Sequence, residues 1–563
     1  MIIFQKMKAS FFSLLLASLF LMVFLPIFLR ADQAEWQWSV TTEKGRAFLW
    51  IPSHCQEVRA VVVGQHNMIE QGILEHASFR KTLTDLGIAE VWIAPPMDHV
   101  FRFDQGAGQK FDAMMEALAD VSGYDELKLA PIIPLGHSAC ASYPWNFAAW
   151  DPRRTLAVLS VHGDAPLTNR TGSGRPNPDW GDRKIDGIPG LMVMGEYEWG
   201  EERLQPALDF TKLHPEVPLA MLAEPGSGHF NFDDQLVDFL GMFIRKAVAW
   251  RLPPEVSPGK AQELKPVNPR DGWLVERWHL HQGRTVPPAP YVRYAGERAD
   301  AFWCFDKEMA DAIQSFSAGE TGKLPQLISL TDGHMPTGKG NGEPVQLHFF
   351  PDADGLTFHL ETGFMDSVSS DPKNGNSARW ANLPAGSPLG HAGEGSPITI
   401  NKIVGPVQKV SGNTFTFRLD RNAETDDRRL LDIWFWACHP GDAKYKKIVQ
   451  QAVMQVPRNT SGLEQHITFP AIPGQKADEM AGPDKNKIKL QATSDSGLPV
   501  YYYIREGPAK IVEGKEPFVQ ITEIPPRSRF PIAVTVVAWQ WGRSGEPAVE
   551  TAAPVERTFL ISK

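Results

Sequence analysis

Cysteine is scarce: four residues in 563, at positions 55, 140, 304 and 438. None stands near residues 31–34, which argues against lipid attachment there. Basic residues never gather densely and the net charge is -10, so a nucleic-acid partner is not expected. A metal site is also lacking. Asp352-Ala353-Asp354-Gly355 resembles the opening of a calcium loop, but the remaining ligands are missing, so a hairpin turn is expected. His279 and His281 alternate on a possible strand without a nearby cysteine or histidine partner and read as structural. No metal and no cofactor are expected. What is present is a chain with 42% hydrophobic residues, too long for one core, which implies two to four domains.

Lys6 and Lys8 precede an apolar run over 11–29, and small residues follow at Ala31 and Ala34. Residues 1–34 therefore read as a secretory signal peptide, placing the protein outside the cytoplasm: secreted, periplasmic or at the cell surface. The run is nearly long enough to span a bilayer. An uncleaved anchor is the alternative, and the one route to a membrane. In an exported protein an even cysteine count suggests disulfides. Cys55 precedes a strand at 60–64 and Cys140 follows the far end of a neighbouring strand, about 13–17 Å away by strand rise, too far to bridge. Cys304–Cys438 remains as the possible pair.

From residue 36 to about 250, short apolar runs alternate with helical spacing. Strands are predicted at 36–40, 47–51, 60–64, 91–94, up to 135, 156–161, 191–194 and 218–223. Helices are predicted at 71–86, around 111–118, at 139–149, 203–213 and after 235. Pro131 and Pro134 require the strand before Ser138 to be short or bulged. The pattern predicts an α/β fold, a mostly parallel sheet with helices on both faces. In such sheets reactive groups collect where strands end.

Ser138 directly follows one strand, in Pro134-Leu135-Gly136-His137-Ser138-Ala139-Cys140. A serine on a sharp turn from strand to helix is a nucleophile elbow. The turn needs small neighbours, here Gly136, Ala139 and Cys140, the last where glycine is usual. Later come Gly195-Glu196-Tyr197-Glu198 after another strand and Gly226-Ser227-Gly228-His229 after the last one. Serine, then acid, then histidine is the order of the α/β-hydrolase superfamily, which residues 36–252 resemble. The stretch 191–243 also resembles secreted carbohydrate and polyester esterases of that superfamily.

The resemblance implies Ser138 as nucleophile and His229 as base. It implies Glu198 as the acid, three residues after the glycine that ends its strand. Glu196 is the alternative and Asp164 a third choice. Tetrahedral intermediates need two aimed N–H groups. One is expected from Ala139, the other from Gln65 or His66, in a loop that lacks the usual His-Gly. His137 reads as packing beneath the elbow. The Gly/Pro/Asn-rich loop at 169–187 is expected to cross one end of the sheet.

Three parts follow the leader: 35–252 as hydrolase domain, 253–465 as a β-rich domain of no recognised type, and 466–563. In the β-rich part, hairpins are predicted across 345–361 and 403–419, and a helix at 306–316. The last part resembles bacterial immunoglobulin-like repeats, through Ile467-Thr468-Phe469-Pro470, Leu490-Gln491-Ala492-Thr493-Ser494 and Ser496-Gly497-Leu498-Pro499-Val500. A β-sandwich without a catalytic constellation is expected there, dispensable for chemistry. The function implied is a secreted serine esterase acting through an acyl-enzyme on acetyl or aryl esters of polysaccharide. Alternatives are a polyester depolymerase, lipase or peptidase on the same triad, or a surface-binding protein with a degenerate hydrolase domain.

Overall fold

The computed structural model describes residues 35–172, 174–254, 259–334, 344–370, 376–393, 395–424, 431–480 and 485–563. The segment read as a signal peptide, residues 1–34, lies outside the described residues.

Most strands of the sheet are short apolar runs buried on both faces, while the edge strand Trp38–Thr41 is partly exposed. The first eight are β1 (Trp38–Thr41), β2 (Arg46–Trp50), β3 (Ala60–Gln65), β4 (Ile88–Ala94), β5 (Ile132–His137), β6 (Val158–Val161), β7 (Gly190–Gly195) and β8 (Leu219–Glu224). They form one sheet in the order β1-β2-β4-β3-β5-β6-β7-β8. The β1–β2 and β2–β4 pairs are antiparallel, and every pair from β4 to β8 is parallel. Six helices connect them: α1 (Glu70–Leu74), α2 (Ala77–Leu86), α3 (Ala107–Ser122), α4 (Tyr143–Trp150), α5 (Glu201–Leu213) and α6 (Asp234–Arg251). Strand residues alternate between two cores. Val62, Trp92 and Leu135 pack with α1, α2 and α6, whereas Val61, Val63 and Val91 pack with α3, α4 and α5. This is the mostly parallel α/β sheet with helices on both faces that the sequence predicted.

Local chemistry sets the departures from the predicted elements. The single helix expected at 71–86 is two helices, α1 and α2. His76 takes an extended backbone between them, and its ring accepts the Ser78 N–H as a cap. After Ser138 the chain first makes a 3-10 turn, Ser138–Cys140, and α4 begins only at Tyr143, with Pro144 in its first turn. Pro134 lies inside β5 opposite Val63 with no break in register, because the strand begins just past Pro131.

Beyond residue 252 the chain is β-rich. A three-stranded sheet joins Ala289–Pro290, Trp273–Glu276 and Ala301–Cys304. Helix α7 (Lys307–Ser317) follows, its Met309 N–H capped by Asp306 Oδ1 at 3.0 Å. A four-stranded sheet runs in the order Val345–Leu347, Ile448–Gln455, Asp432–His439, Thr399–Val404. The hairpin predicted across 345–361 does not form. Val345–Leu347 joins Ile448–Gln455 in parallel, while Thr357–His359 pairs with Thr414–Phe417. The turn between them survives because Asp354 Oδ1 accepts the N–H groups of Leu356 and Thr357. The second predicted hairpin forms, Val407–Ser411 against Thr414–Phe417, around Gly412 at φ +49.

The possible Cys304–Cys438 disulfide does not form; all four cysteines are free. Cys304 ends a strand of the three-stranded sheet, Cys438 lies in the four-stranded one, and the Cys304 thiol turns to Asp306 O at 3.6 Å.

The α1–α2–α6 core does not stop at residue 252. Phe243 meets Phe305 at 5.4 Å between ring centres, Phe239 meets Phe316 at 5.6 Å, and the same apolar cluster runs on through Phe358, Phe415 and Phe435. Among the described residues the last hundred form a two-stranded pair, Ile467–Thr468 against Thr493–Ser494, and two larger sheets. Gln475–Lys476, Val555–Ser562, Ile532–Trp539 and Tyr501–Glu506 make one; Lys487–Lys489, Phe518–Ile521 and Ala509–Val512 make the other. They share a core of Tyr502, Val519, Val534, Val536 and Phe559, as in a β-sandwich. This sandwich docks on the first sheet. Gly507 N–H donates to Trp36 O at 3.0 Å, and Arg46 pairs with the buried Glu506 at 2.7 Å.

Candidate active site

Ser138 stands at the C-terminal end of β5 with φ +51, the left-handed region a non-glycine residue rarely adopts. The elbow is close-packed. A Cβ on Gly136 would lie 2.1 Å from Cys140 O, so only glycine fits two residues before the serine. His229 arrives from the loop after β8. Its loop is fixed by the Gly228 N–H donating to Asn231 Oδ1 at 2.6 Å.

The three groups expected to act together are together. Ser138 Oγ lies 2.7 Å from His229 Nε2, and His229 Nδ1 lies 2.5 Å from Glu198 Oε2. With its Nδ1–H donating to the carboxylate, the imidazole offers Nε2 as acceptor for the serine hydroxyl, the tautomer a general base needs. Glu198 also accepts from Arg203 Nη1 at 2.7 Å and the Gly195 N–H at 3.0 Å. Burial alone would raise its pKa, but Arg203, His229 and His162 outweigh burial and hold it well below the usual carboxylate range.

The other two candidate acids are engaged elsewhere. Glu196 pairs with Lys446 at 2.7 Å and accepts the Gly226 N–H at 2.8 Å, propping the base of the His229 loop. Asp164 accepts both the N–H and the hydroxyl of Thr171 at 2.7 Å. Thr171 belongs to the long polar loop, and its hydroxyl lies 2.9 Å from Ser138 O. That loop therefore reaches the nucleophile turn; the sequence placed it over one end of the sheet without saying which.

Of the expected oxyanion donors, the second differs from expectation. The Ala139 N–H opens the 3-10 turn, with no earlier carbonyl inside the turn to accept it. The His66 N–H instead donates to Ile93 O at 2.8 Å, because the ladder continues one residue past β3. Gln65 is inside β3 opposite Ile93 rather than in the loop, and its side-chain amide is clasped by the backbone of Asp98. The next two N–H groups, of Asn67 and Met68, donate to Glu70 Oε2 at 3.2 and 2.8 Å.

Three buried groups escaped the sequence reading. Glu70 binds the Asn67, Met68 and His137 N–H groups, so one carboxyl ties the loop after β3 to the elbow; burial pushes it up to about 7. Arg203 on α5 joins Glu198 to Asp164, 3.4 Å from its Nε. His162, directly after β6, holds the second oxygen of Glu198 at 2.6 Å. Its position where a strand ends was the available signal. His137 packs under the elbow as expected, its Nε2 2.8 Å from His229 O. Burial, then the charges of His229 and His162, hold it well below the ordinary histidine value.

The β-rich region walls one side of the site. Tyr197 stacks on Trp380 at 4.4 Å, its carbonyl accepts from Arg379 and Trp380, and its hydroxyl donates to Lys447 O at 2.8 Å. Elsewhere Glu276, His279 and Asp300 come within 4.8 Å of one another. Asp300 is already paired with Arg277 at 2.7 Å, and Glu276 accepts from the Thr285 and Val286 N–H groups.

No family model matches the chain, and no curated protein matches it. Among solved structures, a phospholipase/carboxylesterase from Dyadobacter fermentans is 15% identical; the match covers 37% of this chain and 98% of that one, with a TM-score of 0.26. Est1E from Butyrivibrio proteoclasticus is 16% identical over 38% of this chain and 100% of its own, with a TM-score of 0.27. A dienelactone hydrolase from Anabaena variabilis is 15% identical over 39% and 98%, with a TM-score of 0.27. Likenesses this distant carry no argument about activity.

Proposed function

We propose that the protein is a serine hydrolase that cleaves carboxylic esters through an acyl-enzyme. The observation that carries this is the continuous relay Ser138 Oγ–His229 Nε2, His229 Nδ1–Glu198 Oε2, at 2.7 and 2.5 Å. Ser138 Oγ attacks the ester carbonyl carbon while His229 Nε2 takes its proton. Glu198 stabilises the imidazolium that forms. The developing oxyanion is met by the Ala139 N–H. Collapse breaks the C–O bond, and His229 returns its proton to the leaving alcohol. Water, deprotonated by His229, then releases the acid and restores the serine.

The substrate is an acetyl or aryl ester on a polysaccharide, and the protein acts after export. This finer reading is supported by the export-like leader at residues 1–34 and by the β-rich regions appended to the hydrolase sheet. A panel of acetylated xylan, methyl ferulate, short polyesters and peptides tests it. Preference for the first two is expected, and turnover of polyester or peptide alone would replace it. A fluorophosphonate probe tests the chemistry itself, since a non-catalytic binder takes up none.

A further inference from the structure

We propose that His162 is a positioning residue that carries a positive charge and, by sharing the Glu198 carboxylate with His229, aims that carboxylate at the base. The proposal rests on the triad reading above. Its ground is geometric. His162 Nδ1 lies 2.6 Å from Glu198 Oε1. Its Nε2 lies 3.2 Å from Asn231 O and 3.5 Å from Glu224 Oε2. Glu198 Oε1 and Asn231 O are acceptors, and Glu224 Oε2 is one wherever it has lost its proton. A neutral imidazole has one N–H and one lone pair, so it would set a lone pair against an oxygen. Only the imidazolium satisfies both sides.

The ring is fully buried, and its backbone is held at φ +46. Burial opposes the charge and Arg203 opposes it further, but Glu198 and then Glu224 outweigh both, so the pKa is raised. The charged and titratable groups facing the ring are Glu198 after β7, Glu224 at the end of β8, Arg203 on α5, His137 at the end of β5, and His229.

The consequence falls on His229, whose ring centre is 6.2 Å from that of His162. Glu198 already serves two cations, His162 on Oε1 and Arg203 on Oε2. Removing the His162 charge would leave Glu198 one cation fewer to share with His229. The same contact pins Oε1, so that Oε2 is aimed at His229 Nδ1.

The test is kcat/KM against pH for the wild type and His162→Gln. Glutamine keeps a donor to Glu198 and removes the charge. The acid limb is expected to move up by about one pH unit. An unmoved limb in folded His162→Gln overturns the proposal. If that variant does not fold, 15N NMR of the histidine-labelled wild type decides, with His162 assigned through Asn231. Two protonated ring nitrogens are expected at a pH where an ordinary histidine has lost its proton, and a bare nitrogen overturns the proposal. NMR needs no turnover, so this arm fails separately from the hydrolase reading, which fails if Ser138→Ala keeps full activity.

Discussion

Glu198 Oε2 lies 2.5 Å from His229 Nδ1, whereas Glu196, two residues earlier, gives one oxygen to Lys446 and the other to the Gly226 N–H. The two glutamates flank Tyr197 on one 3-10 turn and serve different ends. Glu198→Gln should therefore lower kcat on the order of 10⁴-fold, because glutamine favours the wrong imidazole tautomer. Glu196→Gln should keep kcat within about tenfold and cost about 1.5–3 kcal/mol of stability through the lost Lys446 contact. Kinetics and melting of both variants check this. A deep loss of kcat at 196 with normal turnover at 198 would reverse the two roles.

Gly136→Ala should damage the elbow. Its Cβ would sit 2.1 Å from Cys140 O, a backbone atom that cannot swing aside. Overpacking of this kind costs about 1–3 kcal/mol, and the shift passes directly to the Ser138 turn. Loss of stability together with a large fall in kcat is expected. Normal kcat in a well-folded variant would mean the turn is looser than this contact implies.

Stability should fall as pH rises above the acid range. Burial pushes Glu35, Glu70 and Glu224 up to about 7. Between 4.5, their ordinary value, and about 7 the native protein holds protons that the unfolded chain has released. Unfolding is therefore favoured progressively through that window. Glu198 acts in the opposite sense. Its pKa is depressed, so its contribution is present above the unfolded value and is lost as pH falls through the folded one. Thermal melting across this range should show a Tm that declines from weakly acid to neutral pH. A Tm that climbs steadily through the same range contradicts this balance.

The terminal sandwich should matter to folding although no group of the triad lies in it. Arg46 of β2 pairs with Glu506, which is buried and also accepts from Thr535. Arg527 donates to Glu126 at 2.9 Å, and the Arg529 N–H donates to Ser122 O at 2.8 Å. Arg46→Ala should cost about 1.5–3 kcal/mol by leaving Glu506 short of a partner, measured by urea unfolding. A chain ending at residue 465 should melt earlier than the full chain. Equal stability of the shortened chain would show the docking to be incidental.

The sheet was legible in the sequence because parallel strands buried on both faces leave short apolar runs, as at Val61, Val62 and Val63. Ser138, His229 and the Glu196/Glu198 pair were legible because each follows such a run. Between the glutamates the sequence favoured Glu198 and kept Glu196 as the alternative; what engages Glu196 elsewhere is Lys446, 250 residues away and 2.7 Å from it. His66 failed as an expected N–H donor because one more ladder bond forms beyond the predicted strand end. The strand pairing of 345–347 failed for a related reason. Turn residues at Asp352–Gly355 mark a turn but do not name the partners of the strands beside it.

The most direct measurement of the central claim is active-site labelling. The folded wild type is treated with a fluorophosphonate, the adduct is mapped by mass spectrometry, and p-nitrophenyl acetate turnover is followed alongside Ser138→Ala. The account predicts one adduct, on Ser138, with turnover lost in the wild type in step with labelling. It predicts neither labelling nor more than residual turnover in Ser138→Ala. Labelling elsewhere, or full esterase turnover by a folded Ser138→Ala protein, would contradict it.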